Sequence, residues 1–414
     1  MNIAIMGYGV VGSGVAEIIT KNHASIVKKS TQSELDIKYI LVRKDYPADH
    51  QFHNLFTKDF NDILNDPDVG IVVETMGGLH PAYDYVSACL KAGKHVVTSN
   101  KELVAAKGCE LLKYAEENNV NFLFEASVGG GIPIIRPISQ CLAANEISEF
   151  AGILNGTTNF ILTRMIADHM SFEDALKLAQ DNGYAERDPS ADILGFDACR
   201  KVCILASLCF GKHVYPDSVH TEGITEITLE DVEYAKAWGG VIKLLGRAKK
   251  SEDGEHISAI VSPAFVAKSS QLAGVDDVFN AILVRGDSIG DVVFYGKGAG
   301  KLPTASAVMG DVLDCARHQT KQKFFGWGDS EENYISDYLD SDCALYVRAN
   351  ADHPEETLSI ARKTFGEIEI LKREGAPANE VAFITPVANE RENRTKLETV
   401  LGLNVISTIR VTDY

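Results

Sequence analysis

The sequence predicts an α/β protein whose N-terminal part is a doubly wound parallel sheet of the dinucleotide-binding kind, and three observations carry that prediction. A short apolar strand, Asn2 to Met6, runs straight into the loop Gly7-Tyr8-Gly9-Val10-Val11-Gly12. A helical pattern opens directly behind it, from Val15. Apolar strands and helical stretches then alternate as far as Glu125, the pattern of a parallel sheet built from βαβ units.

Each part of the first turn has a physical reason. Gly7 permits the tight bend, Gly9 lets a pyrophosphate approach bare backbone, and Gly12 lets helix and strand pack closely. Tyr8, Val10 and Val11 supply the rest of the cradle, and the helix N-terminus offers N–H groups and a positive dipole end to phosphate. The second strand, Ile37 to Val42, ends in Arg43-Lys44-Asp45. Strands of this kind usually end in an acidic residue that holds the ribose of NAD. A cationic pair suits a 2′-phosphate instead, so NADP is the favoured cofactor, with Asp45 keeping NAD open. Further strands fall at Val69–Glu74, His95–Thr98 and Asn121–Glu125, separated by helices over Asp84–Ala92 and Glu102–Glu117. Ligands sit beyond the carboxyl ends of such strands. Those ends carry Thr75-Met76-Gly77-Gly78, Ser99-Asn100-Lys101 and the glycine-rich run from Glu125 to Gly131. Thr75, Ser99 and Lys101 are therefore candidate cofactor contacts.

Composition bounds the rest. At 414 residues the chain exceeds one ordinary core, so two or three domains are expected. With 45% hydrophobic and 24% charged residues it reads as a globular protein. A net charge of −18 argues against a nucleic-acid partner, because neutralising phosphates needs clustered Lys and Arg. A small anionic nucleotide can still find a locally positive site. No run reaches the ~18–20 apolar residues of a membrane helix, and no basic leader precedes the first strand. Eight cysteines are scattered without a CxxC pair, which fits a reducing, cytoplasmic setting. Cys199 and Cys203 share a helix face but lack further metal ligands nearby. The eleven histidines are dispersed, and His80 alone stands near the predicted rim.

Downstream, Gly152-Ile153-Leu154-Asn155-Gly156-Thr157-Thr158-Asn159-Phe160-Ile161-Leu162 resembles the GIxNGTxNxIL signature of homoserine dehydrogenases. Gly183-Tyr184-Ala185-Glu186, Asp188-Pro189, Asp192 and Gly195-Phe196-Asp197-Ala198-Cys199-Arg200-Lys201 resemble that family's substrate and catalytic segment. Gly298-Ala299-Gly300, then Pro303 to Val308 and Asp311, resemble its return crossing to the nucleotide domain. The likeness runs in order from residue 1 to about 320.

The resemblance implies a nucleotide domain over 1–132 completed by 301–320, and an α+β substrate-binding and dimerisation domain over 133–300 with an open sheet. It implies reversible hydride transfer between aspartate semialdehyde and homoserine, in a homodimer or homotetramer. By the same resemblance Glu186 and Asp197 bind the substrate, Lys201 donates the proton, and Lys101 is a second lysine at the reaction centre. Gly183, Tyr184 and Thr157 line the substrate site, and Gly298 and Gly300 touch the cofactor. The run from Glu125 resembles a sodium site, with the Glu125 carboxylate and the carbonyls of Val128, Gly130 and Ile132 as ligands. Oxygen-only ligation suits such a hard cation. The residues themselves add that Asp197 and Lys201, four apart on a predicted helix, point the same way. Two adjacent lysines would also depress each other's pKa toward neutrality, and the residues alone leave open which of Lys101 and Lys201 delivers the proton.

Two rival readings are weaker. A catalytically dead ligand sensor would not need Lys101, Glu186, Asp197 and Lys201 together. An aspartate semialdehyde dehydrogenase needs a cysteine nucleophile, and Cys141, on a predicted helix, has no convincing histidine partner. No kinase-like region precedes the first strand, so a monofunctional enzyme is expected.

The C-terminal part begins with a polar, acidic stretch over 321–341, including Asp329, Glu331, Glu332 and Asp337, that reads as a linker. Strands at Ala344–Ala349, Ile368–Lys372, Glu380–Ile384 and Val405–Val411 and helices at Glu355–Phe365 and Arg391–Leu401 give a βαββαβ order over 342–414. This resembles an ACT domain, an amino-acid-sensing module. Such modules usually carry a D-x-P-G-x-L turn, whereas Asp352-His353-Pro354-Glu355-Glu356-Thr357-Leu358 puts Glu355 in the glycine place. The fold is expected and conventional threonine binding is not; an amino-acid effector at this module and a module used only for assembly both stay open.

Overall fold

The computed structural model describes residues 1–29, 34–331, 334–412 and 414. The chain forms two compact units. The first comprises residues 1–146, 203–216 and 296–330; the second comprises 147–202, 217–295 and 331–414. Among the described residues no helix is long and apolar enough to cross a membrane.

The first unit runs β1 (Asn2–Met6), α1 (Val10–Lys21), α2 (His23–Lys29), β2 (Asp36–Leu41), β3 (Phe56–Thr57), α3 (Phe60–Leu64), β4 (Val69–Glu74), α4 (Ala82–Lys91), β5 (His95–Thr98), α5 (Lys101–Glu117) and β6 (Phe122–Leu123). Its sheet has the order β3-β2-β1-β4-β5-β6. Every pairing in it is parallel. The chain order reverses beside β1, which puts a topological switch point at the glycine loop, where doubly wound sheets bind ligands. Ile3, Ile5, Ile71, Val73 and Val97 are buried beneath the helices, so these strands read as continuous apolar runs.

Helix α11 (Lys301–Arg317) belongs to this unit. Val308, Val312 and Ala316 are buried as the pattern predicted, joined by Ala305, Met309 and Cys315, while Ala307 and Leu313 are partly buried. Gly14 lets α1 and α11 approach: a Cβ there would lie 2.9 Å from the Lys301 carbonyl oxygen and 3.0 Å from the Ala305 Cβ.

The second unit contains β7 (Ile147–Ile153), α6 (Gly156–Asp168), α7 (Phe172–Asp181), α8 (Ser190–Ile193), the start of α9 (Phe196–Phe210), β8 (His220–Thr221), α10 (Leu229–Trp238), β9 (Gly240–Lys250), β10 (Ile257–Ala267), β11 (Phe279–Gly286) and β12 (Gly290–Lys297). It continues with β13 (Asp342–Asn350), α12 (Pro354–Phe365), β14 (Glu369–Leu371), β15 (Glu380–Ile384), β16 (Ala388–Asn389), α13 (Glu390–Thr399) and β17 (Asn404–Thr412). The sheet order is β12-β11-β7-β9-β10-β17-β13-β15-β14.

The last four strands of that order form the βαββαβ arrangement expected over 342–414. They are not an independent body, because β17 pairs in parallel with β10 through Ala264–Arg410, Phe265–Val411 and Val266–Thr412. One sheet therefore runs through both the substrate portion and the C-terminal portion. Buried ion pairs reinforce the seam. Arg348 on β13 donates to Asp231 on α10 at 2.9 Å. Arg410 on β17 holds Glu390 through two hydrogen bonds of 2.7 and 2.8 Å and Glu222 through a third of 2.8 Å.

The stretch over 321–341 is not a solvated linker either. Residues up to 330 belong to the first unit and those from 331 to the second; Glu332 and its neighbour 333 lie outside the described residues. Phe325 packs on Phe124 at 5.1 Å, and Trp327 is buried with its indole N–H on His213 Nδ1 at 3.0 Å. The acidic residues dominate the composition of the stretch, but its aromatic residues set its position.

Candidate active site

In the first unit, the turn between β1 and α1 is built as a bare cradle. Gly7 has φ +98°, and a Cβ there would lie 2.9 Å from the Thr75 carbonyl oxygen. At Gly12 an added Cβ would fall 2.0 Å from the Gly7 carbonyl oxygen and 2.7 Å from Thr75 Oγ1. Gly9 faces open space. It is the N-cap of α1 and no side chain caps that helix, so the first-turn N–H groups stay available to an anion. Val10 is exposed there, while Val11 packs partly against the core. These residues fit a dinucleotide pyrophosphate.

The neighbouring strand ends are tied to one another. Thr75 Oγ1 donates to the carbonyls of Met6 and Gly7 at 3.2 and 3.0 Å, bridging the ends of β1 and β4. Glu74, fully buried, accepts the N–H groups of Met76 and Gly77 at 2.7 and 3.3 Å and the Thr98 hydroxyl at 2.5 Å. Burial raises its pKa, and those hydrogen bonds oppose the rise. Asn100 donates to the Gly78 carbonyl at 2.7 Å and caps α5 by accepting from Leu103 N at 3.1 Å. Lys101 is thus the first residue of a capped helix, directly after Ser99 and Asn100 on the β5 rim.

Arg43 and Lys44 stand exposed just beyond β2. Asp45 is drawn to Lys58 at 2.6 Å. The ring of Tyr8 joins an edge-to-face cluster with Tyr46, His50, Phe52 and Phe56 at 5.3–6.2 Å. Its expected cofactor role therefore rests on its backbone. Gly298 and Gly300 lie at the entry to α11, where Gly300 is the N-cap with φ +125°. A Cβ on Gly130 would lie 2.3 Å from the Gly298 carbonyl oxygen.

In the run from Glu125 to Ile132 the Glu125 carboxylate is engaged by backbone amides. Glu125 Oε1 accepts the N–H groups of Ile134 and Ile135 at 2.6 and 2.8 Å, and Oε2 accepts that of Arg136 at 2.8 Å. The Arg136 guanidinium approaches within 3.6 Å, and Asp311 accepts from both Arg136 at 2.6 Å and Glu125 N at 2.8 Å. The buried carboxylate therefore caps backbone amides. The physical reason is that several N–H groups converge on it, and buried donors require acceptors. Val128, Gly130 and Ile132 present only backbone. Among the described residues the one cluster of three or more His, Cys, Asp or Glu ligand atoms is Asp253, Glu255 and His256, all exposed and remote in sequence from this run.

In the second unit the signature residues converge. Asn155 ends the stretch after β7 and caps α6, its Oδ1 accepting from Thr158 N at 2.8 Å. Its Nδ2 donates to Asp192 Oδ1 at 2.7 Å and to Asp197 Oδ2 at 2.8 Å. Asp197 and Lys201 lie one turn apart on α9. Lys201 Nζ donates to Asp197 Oδ2 at 2.7 Å and to the Leu154 carbonyl at 2.6 Å. Asp197 and Lys201 are only 4% and 7% exposed, which sets this pair apart from a solvated surface pair worth little. Thr157 donates to the Tyr184 carbonyl at 2.6 Å, and the Tyr184 ring stands edge-on to Phe160 at 5.0 Å. Gly183 makes the preceding bend with φ +73°. Glu186 sits on the exposed loop that follows α7, and Gln180 holds its main-chain carbonyl at 3.1 Å.

The resemblance singled out Asp197, Lys201, Thr157 and Tyr184; the structure joins Lys201 to Asp197 and Thr157 to the Tyr184 carbonyl. The resemblance gave no role to Asn155 or the Leu154 carbonyl and named Asp192 only as part of the family's segment, yet both Asn155 and Leu154 touch the Asp197–Lys201 pair. An asparagine placed before Gly-Thr-Thr at a helix start signalled the cap, but nothing local signalled its two carboxylate partners.

A parallel sheet with a bare glycine cradle at its switch point, in a chain that also buries a lysine–carboxylate pair, defines a nicotinamide-nucleotide-dependent oxidoreductase. Family models sharpen the class. The model for the NAD-binding domain of homoserine dehydrogenase matches residues 7–125, and that for homoserine dehydrogenase matches residues 133–313. A homoserine dehydrogenase of Synechocystis is 44% identical over 76% of this chain and 73% of its own length. The crystal structure of a homoserine dehydrogenase from Thiobacillus denitrificans superposes with a TM-score of 0.90 at 35% identity, covering 100% of this chain and 98% of that one. A hyperthermophilic archaeal homoserine dehydrogenase in complex with NADPH gives a TM-score of 0.66 at 27% identity, covering 78% and 99%. The chain belongs to the homoserine dehydrogenase family.

Proposed function

We propose that the chain interconverts L-homoserine and L-aspartate 4-semialdehyde with NADP as its preferred cofactor, and that Asp197 and Lys201 are the centre that handles the proton. One observation carries this reading: a buried ammonium is held between a carboxylate at 2.7 Å and a carbonyl at 2.6 Å. The nicotinamide nucleotide, when bound, supplies or accepts the hydride. In the reducing direction Lys201 gives a proton to the carbonyl oxygen as it becomes an alkoxide, and in the oxidising direction it takes the hydroxyl proton. Asp197 keeps Lys201 charged and oriented. Glu186 supplies a carboxylate for the substrate ammonium from its exposed loop, whose path Gly183, Tyr184 and Thr157 fix. Lys101 is the second lysine of the reaction centre. Gly7 to Gly12, Thr75, Ser99, Gly298 and Gly300 line the nucleotide, and Arg43 with Lys44 receives its 2′-phosphate. Asp45, paired with Lys58, favours NADP further.

The test is a spectrophotometric assay of homoserine oxidation with each cofactor. NADP should give a kcat/KM at least about tenfold above NAD, the size of one charged contact. Lys101→Ala should lower turnover with its melting temperature near that of the wild type. No reduction of either cofactor would end this reading.

Other parts follow the same reading. Both oxygens of Glu125 are engaged on amides, so the chain's residues do not fit a carboxylate-ligated sodium ion. An ion in this run would meet only the carbonyls of Val128, Gly130 and Ile132, and no step is assigned to it. The eight free cysteines, five of them buried, fit the cytoplasm. The substrate portion over 133–300 is the part expected to form a homodimer or a tetramer. The C-terminal module is ACT-like in order, but Glu355 adds a carboxylate to the first turn of α12, where an amino-acid effector's own carboxylate would be repelled. An assembly role follows, and threonine should leave the melting temperature unchanged.

A further inference from the structure

We infer that Asn155 is a positioning residue for this reaction, because its one amide group holds Asp192 and Asp197 together beside Lys201. The inference rests on the proposed role of the Asp197–Lys201 pair and adds to it the device that keeps that pair in place.

The argument begins with hydrogen-bonding capacity. A side-chain amide has two N–H donors and one carbonyl acceptor. Asn155 uses all of them in one direction-specific arrangement. Its Nδ2 donates to Asp192 at 2.7 Å and to Asp197 at 2.8 Å, and its Oδ1 accepts from Thr158 N at 2.8 Å. The cap ties the residue to the start of α6, so the amide cannot turn without uncapping the helix. The preceding residue completes the frame, since the Leu154 carbonyl takes a proton of Lys201 at 2.6 Å. Two successive residues at the end of β7 therefore hold both members of the pair, one through its side chain and the other through its backbone.

The amide also answers an electrostatic problem. Asp192 and Asp197 both direct an oxygen at the same nitrogen. Two carboxylates so close, one of them buried, repel each other. A neutral donor between them offsets that repulsion without competing with the ammonium of Lys201 for charge. A lysine or arginine there would bind Asp197 in place of Lys201, and an alanine would leave the carboxylates unbridged. An asparagine at this position meets both requirements.

Asn155→Ser is the discriminating variant, because serine keeps an acceptor for the helix cap and removes both donors. Misplacing a reacting group by about 1 Å can cost ~100-fold, so kcat should fall between about 10- and 100-fold. KM for homoserine should change less than kcat. The acid limb of the kcat/KM profile should move up by at least about half a pH unit as the carboxylates meet unbridged. Adding Asp192→Asn removes the repulsion and should recover at least about threefold of the lost kcat/KM. If Asn155→Ser melts well below the wild type, Asn155→Thr, which also keeps a cap acceptor and adds no charge beside Asp192 and Asp197, replaces it under the same expectations. Asp197→Asn serves as the control. An inactive Asp197→Asn beside an Asn155 variant with wild-type kcat and pH profile overturns the positioning role alone. A fully active Asp197→Asn overturns the proposed proton centre itself.

Discussion

Acidification should loosen the first unit through one histidine. His213 is 1% exposed, and its Nδ1 accepts the indole N–H of Trp327 at 3.0 Å. An indole can only donate, so Nδ1 must carry no proton, and protonation would set two N–H groups against each other. Burial is the chief cause that depresses its pKa from 6.5 to about 4, against the opposing pull of the Ala105 carbonyl and Asp329. Between those values the unfolded chain binds a proton that the folded chain refuses, so stability is complete above pH 6.5 and falls as the pH drops toward 4. That difference amounts to about 3 kcal/mol. His213→Gln keeps an acceptor for the indole but cannot titrate. The assay is urea unfolding at pH 7 and at pH 4.5 in a Trp238→Phe background, which leaves Trp327 as the sole tryptophan reporter. Wild type should lose about 2–3 kcal/mol more than the glutamine variant over that interval. Equal losses, within about 0.5 kcal/mol, would refute the reasoning.

Two further outcomes test other parts of the account. Arg43→Ala should raise KM for NADP about tenfold and leave KM for NAD nearly unchanged, because only the former carries a 2′-phosphate; steady-state kinetics with both cofactors decide it. Arg410→Leu should cost about 1.5–3 kcal/mol in denaturant unfolding, since the buried carboxylate of Glu390 loses the two hydrogen bonds of 2.7 and 2.8 Å from Arg410 and keeps that of 2.8 Å from Arg394. A loss below about 1 kcal/mol would mean that the seam between β17 and the substrate sheet draws its stability from elsewhere.

The sequence exposed those features whose chemistry is local. A pyrophosphate needs glycine at fixed spacing beside a strand and a helix, and β1, Gly7, Gly9, Gly12 and α1 stand in that order. Asp197 and Lys201 share a face because a helix repeats every 3.6 residues, and α9 forms where the pattern placed it. What stayed hidden depends on distant partners. Glu125 was open to a cation or to amides, and the choice lies with Ile134, Ile135 and Arg136 turning their N–H groups inward. Asn155 reveals its cap locally but not its grip on Asp192 and Asp197, which lie 37 and 42 residues away. The merger of the C-terminal strands with the substrate sheet rests on β10 meeting β17, a parallel pairing that no local pattern encodes. The aromatic residues Phe325 and Trp327 were outweighed by the acidic residues around them, although burial of large rings decides where such a segment lies.

The most direct measurement is the rate of homoserine oxidation by Lys201→Met, which keeps the length of the side chain and removes its proton. Turnover at saturating substrate and cofactor should fall by about 100-fold or more, with circular dichroism reporting an intact fold. A folded variant that retains turnover within about tenfold of the wild type would show that the reaction draws its proton from some other group, and the pairing of Lys201 with Asp197 would then be structural only.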